Sequence, residues 1–251
     1  METKTKKKFL FKRPVSLKPV RTHYCPGCGH GIVHRLIAEV IDTLGVRERT
    51  IGVVPVGCAC IAYEYFNFDS TESPHGRTPA VATGIKRSLP NHVVFTYQGD
   101  GDLAAIGTAE TLHAANRGEN ITIIFVNNGV YGMTGGQMAP TTLTGQKTTT
   151  TPNGRTPKND GYPLKITEIL SSLDGVCYAA RGLITSVAEI KKSRQMILKA
   201  FQMQLKCAGL SIVELLSSCP TYWRVTPLEA KNWIDKKMVL SFNPGVLKEI
   251  K

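Results

Sequence analysis

The 251-residue sequence has no apolar run near the roughly 18 residues that a membrane span requires. Its first residues, Met1-Glu2-Thr3-Lys4-Thr5-Lys6-Lys7-Lys8, lack the hydrophobic stretch of a secretory signal. A cytoplasmic protein with no membrane partner is therefore expected. An even cysteine count is also missing: seven thiols cannot all pair, so free or metal-bound thiols are expected rather than a disulfide framework. Acidic residues are scarce, 19 against 31 Lys and Arg, and the net charge is +12. That excess suits nucleic acid, an acidic protein or an anionic cofactor. No aromatic-interleaved basic stripe is present, which argues against nucleic acid.

What is present reads as one α/β domain with short appendages: a basic N-terminal arm over 1–20, a main domain over 21–220 and a C-terminal extension over 221–251. Ile32, Val33, Leu36, Ile37, Val40, Ile41 and Leu44 fall on one helical stripe closed by Gly45. Residues 51–56 read as a buried strand that runs into Gly57-Cys58-Ala59-Cys60. Residues 92–97 and 121–126 are apolar strands flanking a helix-compatible segment, Asp102 to Arg117, with Gly118 as its stop. Strand, helix, strand predicts a parallel crossover. Residues 131–163 are Gly-, Thr- and Pro-rich, a functional lid or a disordered loop. A helix over 187–206 and a last strand over 210–216, leading to Cys219, complete the pattern.

Ligands of parallel sheets bind beyond the carboxyl ends of the strands, where helix N-termini also point. Gly57-Cys58, Gly99-Asp100-Gly101-Asp102, Asn127-Asn128 and Cys219 all fall there. If 92–97 and 121–126 are neighbours, Asp100 and Asn128 stand about 5 Å apart, near enough to share one cation. Magnesium takes oxygen ligands from one or two protein groups plus phosphate and water. A carboxylate, an amide oxygen and a main-chain carbonyl fit, and the glycines allow close approach of an anion. Singly, an Asp-Gly or Asn-Asn turn is ordinary; the pair across one unit is specific. Cys25-Pro26-Gly27-Cys28 presents two thiolates to one centre, as zinc knuckles and iron–sulfur loops both do.

Gly99-Asp100-Gly101 followed by Asn127-Asn128, with the continuation Val130-Tyr131-Gly132-Met133-Thr134-Gly135-Gly136-Gln137, resembles the thiamine-diphosphate-binding β subunits of 2-oxoacid:ferredoxin oxidoreductases. The likeness spans roughly residues 20–240. It implies a thiamine-diphosphate-binding fold, a mostly parallel central sheet with helices on both faces. Asp100, Asn128 and the carbonyl of Val130 would hold Mg²⁺; Gly57, Cys58, His75, Gly99, Gly101, Asp102, Tyr131, Gly132, Met133 and Thr134 would line the cofactor. His75, Arg77 and Met133 would take part in catalysis, although structural hydrogen bonding explains His75 and Arg77 equally well. Cys25, Cys28, Cys58 and Cys219 would carry a [4Fe–4S] cluster, with Cys60, Cys177 and Cys207 as spare thiols.

The resemblance further implies CoA-dependent oxidative decarboxylation of a 2-oxoacid to acyl-CoA, CO₂ and reduced ferredoxin. Met133, Pro140-Thr141-Thr142-Leu143 and Cys219-Pro220-Thr221-Tyr222-Trp223 look most like the 2-oxoisovalerate (branched-chain) type, with 2-oxoglutarate or pyruvate types as alternatives. The glutamate that promotes ylide formation in thiamine enzymes has no counterpart here and would come from an α subunit. Ferredoxin-like γ and δ subunits are expected partners. Two rivals remain: a non-redox thiamine-dependent decarboxylase, and a zinc-binding, nucleic-acid-binding module.

Overall fold

A computed structural model describes residues 12–250. Nine strands are named in chain order: β1 (Thr50–Val54), β2 (Asp69–Glu72), β3 (Val93–Gly99), β4 (Thr122–Asn127), β5 (Val130–Tyr131), β6 (Gln137–Met138), β7 (Val176–Leu183), β8 (Leu210–Leu216) and β9 (Gly245–Glu249). The helices used below are α1 (His30–Leu44), α2 (Thr78–Ser88), α3 (Thr108–Asn116), α4 (Pro157–Asp160), α5 (Ile166–Ser171), α6 (Val187–Leu205), α7 (Pro220–Trp223) and α8 (Pro227–Trp233). Seven strands form one sheet in the order β2-β1-β3-β4-β8-β7-β9. All neighbours are parallel except β9, which runs antiparallel to β7. The expected neighbours β3 and β4 pair in register from Phe95 with Thr122 to Gly99 with Val126.

Alternation along the central strands sends side chains to two cores. Ile124 and Val126 meet the stripe of α1, Val33, Leu36, Ile37, Val40 and Ile41, together with Ile197, Ala200 and Phe201 of α6. Ile123 and Phe125 point the other way, toward Ala82 of α2, Ala114 and Ala115 of α3, and Ile166 and Leu170 of α5. Each fully buried Leu or Ile contributes ~1.5–3 kcal/mol, so α1 is fixed by this face rather than by caps. Its N-terminus has no side-chain cap, and Gly45 ends it at φ 65°. Pro55 follows the last residue of β1, where the lost amide breaks no ladder bond.

Three elements add detail to the expected pattern. The single helix expected over 102–117 opens with a π-turn, Asp102–Ile106, before α3. The 131–163 segment is ordered: Arg155, 4% exposed, donates to the carbonyls of Pro140, Thr142, Asp160, Gly161 and Tyr162 and ties the loop into one body. The segment after 220 folds back, packing Ile234, Met238 and Phe242 against Leu183 and Leu216 and adding β9 to the sheet. Of the basic arm, residues 1–11 lie outside the described residues. The rest lies along α1, where the Val15 and Ser16 amides donate to Asp42. Among the described residues no helix is long and apolar enough to cross a membrane.

Candidate active site

A cavity of 340 Å³ opens at the carboxyl ends of β1, β3 and β4. Gly57, Cys58, His75, Gly99, Asp100, Gly101, Asp102, Asn128, Val130, Tyr131, Gly132, Met133 and Thr134 all line it. No glutamate among the described residues does. Arg77 stays outside. It precedes α2, and its guanidinium is paired with Glu110 of α3.

Asp100 ends the β3 turn and is 3% exposed. Its Oδ2 accepts from the Gly129 amide at 2.7 Å and from Thr141 at 2.6 Å, whereas Oδ1 has only a long 3.4 Å bond from the Asn128 amide. Burial pushes the Asp100 carboxyl up to about 6, against the pull of Thr141 and the loop amides. A buried carboxylate with one nearly unengaged oxygen and no cationic side chain bonded to it fits a bound cation. Asn128, 6% exposed, stands beside it across the β3–β4 boundary. Thr141 belongs to the 131–163 loop, where its bond to Asp100 was not anticipated.

Asp102 differs from Asp100. Its carboxylate takes four donors: His75 Nδ1 at 2.9 Å, the Gly76 amide, Thr78 and Gln98, the last three at 2.8 Å. That saturation makes it a hub that orients His75, and it has no lone pair left for a metal. Gly101 keeps the wall thin: a Cβ there would sit 3.1 Å from the Tyr131 ring. Met133, 49% exposed, lies at the cavity rim.

The thiols gather along one wall. The Cys25–Cys28 turn closes with a bond from the Cys28 amide to the Cys25 carbonyl at 3.0 Å. Gly27, at φ 78°, holds it against Pro220 and Pro227, and Ser218 donates to the Gly27 carbonyl at 2.7 Å. The turn is thereby clamped to the segment that carries Cys219. A Cβ on Gly132 would meet Cys58 Sγ at 3.0 Å and Cys219 Sγ at 3.6 Å. Burial, then the neighbouring Cys28, Cys219 and Cys25, pushes the Cys58 thiol up to about 12; burial does the same for Cys219, with Cys28 and Cys25 adding to it. Thiols that resist ionisation this strongly gain by binding a cationic centre. Among the described residues no group of three or more His, Cys, Asp and Glu side chains is arranged to hold a single metal ion.

One titratable lining residue escaped the sequence reading. His30 opens α1 directly after Cys28-Gly29, is 3% exposed, and bonds through Nδ1 to the Tyr97 hydroxyl at 2.5 Å. Burial pushes its imidazole down to about 3. Its place after the Cys-Gly turn was the available signal.

Residues 55–214 match the family model of the thiamine pyrophosphate enzyme C-terminal, TPP-binding domain, which sets the class. The chain is 48% identical over 233 residues to ketoisovalerate oxidoreductase subunit VorA of Methanothermobacter thermautotrophicus, covering 93% of this chain and 49% of that one. It therefore spans about half the length of the VorA relatives it matches. It is 37% identical to 2-oxoglutarate synthase subunit KorB of Archaeoglobus fulgidus, with 83% and 73% of the two chains covered. A solved 2-oxoglutarate:ferredoxin oxidoreductase from Magnetococcus marinus shares the fold at TM-score 0.81 and 24% identity, covering 98% of this chain and 87% of that one. The chain belongs to the thiamine-diphosphate-binding subunits of the 2-oxoacid:ferredoxin oxidoreductases.

Proposed function

We infer that the chain binds thiamine diphosphate through Mg²⁺ and carries a [4Fe–4S] cluster, and that with partner subunits it oxidatively decarboxylates a 2-oxoacid to an acyl-CoA while reducing ferredoxin. The observation that carries this reading is the contact at Gly132, where the wall of the Asp100–Asn128 cavity touches Cys58 and Cys219. Beside a cofactor that stabilises a carbanion a cluster is a usable electron acceptor, whereas a zinc there would be idle.

When bound, the thiazolium supplies an electron sink for loss of CO₂, and the cluster supplies a neighbouring electron acceptor. Asp100 Oδ1, the Asn128 side chain and the Val130 carbonyl would hold the cation. The chain turns from β3 into the π-turn beside this pair, so its first amides face the position of a diphosphate. Asp102 engages His75 Nδ1 and leaves Nε2 for the cavity. Cys58, Cys219, Cys25 and Cys28 would ligate the cluster. Arg77 is paired with Glu110 outside the cavity lining.

The relatives' names favour 2-oxoisovalerate over 2-oxoglutarate as substrate. The cavity lacks a glutamate to activate the cofactor, so a partner subunit supplies it. Anaerobic copurification followed by CoA-dependent dye reduction with 2-oxoisovalerate, 2-oxoglutarate and pyruvate tests the whole reading. Turnover by the assembled complex and none by the isolated chain is expected; acyl-CoA formation by the isolated chain would refute the partner requirement.

A further inference from the structure

The interior beneath the cation loop contains a buried charged network that the reading above does not use. Glu214, on β8, is 1% exposed. Its Oε1 accepts from Asn127 Nδ2 at 2.7 Å, its Oε2 accepts from Thr167 at 2.6 Å and from Arg181 Nε at 2.8 Å, and Arg181 Nη2 stands 2.7 Å from the same Oε2 as an ion pair. Arg181, on β7, is fully buried and also donates to both oxygens of Glu168 and to the Asn243 carbonyl. The guanidinium thus makes four hydrogen bonds and one further ion-pair contact. Arg181 has no freedom to turn, and Glu214 has none to leave it.

The consequence falls on Asn127. An ionised carboxylate only accepts, so Glu214 fixes the Asn127 amide with its NH₂ inward and its Oδ1 outward. That Oδ1 accepts from the Gly129 amide at 3.2 Å, a donor it shares with Asp100 Oδ2. Reversing the amide would set oxygen against carboxylate on one side and NH₂ against N–H on the other, and both contacts would be lost. With one guanidinium and two carboxylates, Arg181, Glu214 and Glu168 also leave one formal negative charge behind the loop.

We propose that Glu214, anchored by Arg181, is a positioning residue that sets the Asn127 amide and through it the Asn128-Gly129-Val130 turn for a divalent cation. The proposal rests on the reading of Asp100 and Asn128 as the cation site. Outer-shell partners of this kind change metal affinity by about 10–100-fold. The test is the Mg²⁺ dissociation constant of the EDTA-stripped assembled complex at saturating thiamine diphosphate, with Mn²⁺ electron paramagnetic resonance as a second readout of ligand geometry. Glu214→Gln and Asn127→Leu are expected to weaken Mg²⁺ by about 10–100-fold and to alter the Mn²⁺ spectrum. Thr167→Val, which removes one bond to Glu214, is the mild variant should either of these fail to fold, with a loss of about 2–5-fold expected, below that range. Folded variants with the wild-type constant and spectrum overturn the proposal, even if they unfold at a lower temperature. Wild-type complex that binds no Mg²⁺ and thiamine diphosphate overturns instead the cation-site reading beneath it.

Discussion

Gly132→Ala isolates the contact on which the functional reading turns. Gly132 is not among the positive-φ glycines, so its lack of a side chain serves space rather than backbone conformation. An added methyl would lie 3.0 Å from Cys58 Sγ, where ordinary contact begins at 3.4 Å, so the sulfur must give by a few tenths of an ångström. Metal–ligand distances tolerate about 0.2 Å, so the displacement is too large for Cys58 to remain a ligand in place. As packing alone, overfilling costs about 1–3 kcal/mol, equivalent to roughly 2 to 12 °C in Tm for a domain of this size. Iron and acid-labile sulfide per chain, measured on anaerobically purified protein, should fall by more than half beside a modest drop in Tm. A variant with wild-type iron, sulfide and Tm would mean that Cys58 and Cys219 do not share a centre at this wall.

Asp100→Asn removes the buried anionic ligand and should weaken Mg²⁺-dependent thiamine diphosphate binding by about 100-fold or more in calorimetric titration, since a neutral amide is a poor partner for a hard cation; a change under about threefold would assign the cation elsewhere. Cys28→Ser should strip the iron–sulfur absorbance, whereas Cys60→Ser should leave iron content unchanged; the reverse result would exchange their roles. Burial alone would raise Glu119, but the Arg117 and Arg87 guanidiniums that donate to it hold its carboxyl below its usual 4.5. The folded protein therefore binds this proton less readily than the unfolded chain, so the stabilisation is complete above pH 4.5 and is lost as acid titrates the folded form. Thermal melts from pH 7 to 3 should show Glu119→Gln losing part of that acid-side slope; identical slopes would refute the assignment.

The β3–β4 unit and α1 were legible because each is an unbroken apolar pattern ended by glycine or a polar turn; Gly57, Cys58, Gly99, Asp100, Gly101, Asp102 and Asn128 follow from where such strands end, whereas His75 and the run from Val130 to Thr134 came from the family resemblance. β7 was not legible. Arg181 and Gly182 interrupt its apolar run, and the burial of Arg181 is compensated by Glu214 and Glu168, which are distant in sequence. The loop over 131–163 has the composition of a disordered segment, yet Thr141 bonded to Asp100 and Arg155 bonded to six carbonyls order it, contacts no local pattern reports. Asp102 is expected to line the cofactor because it sits in the Gly-Asp-Gly-Asp run, and it does line the cavity. Only the position of Gln98, Thr78, Gly76 and His75 around it shows that its valence is filled.

The sheet ends at both sides in strands marked by charge: Asp69 and Glu72 on β2, Lys248 and Glu249 on β9. Ionised side chains at an open edge discourage another chain from zipping on by main-chain hydrogen bonds. Both margins of the sheet are thereby guarded against a further strand, and the sheet stops at seven.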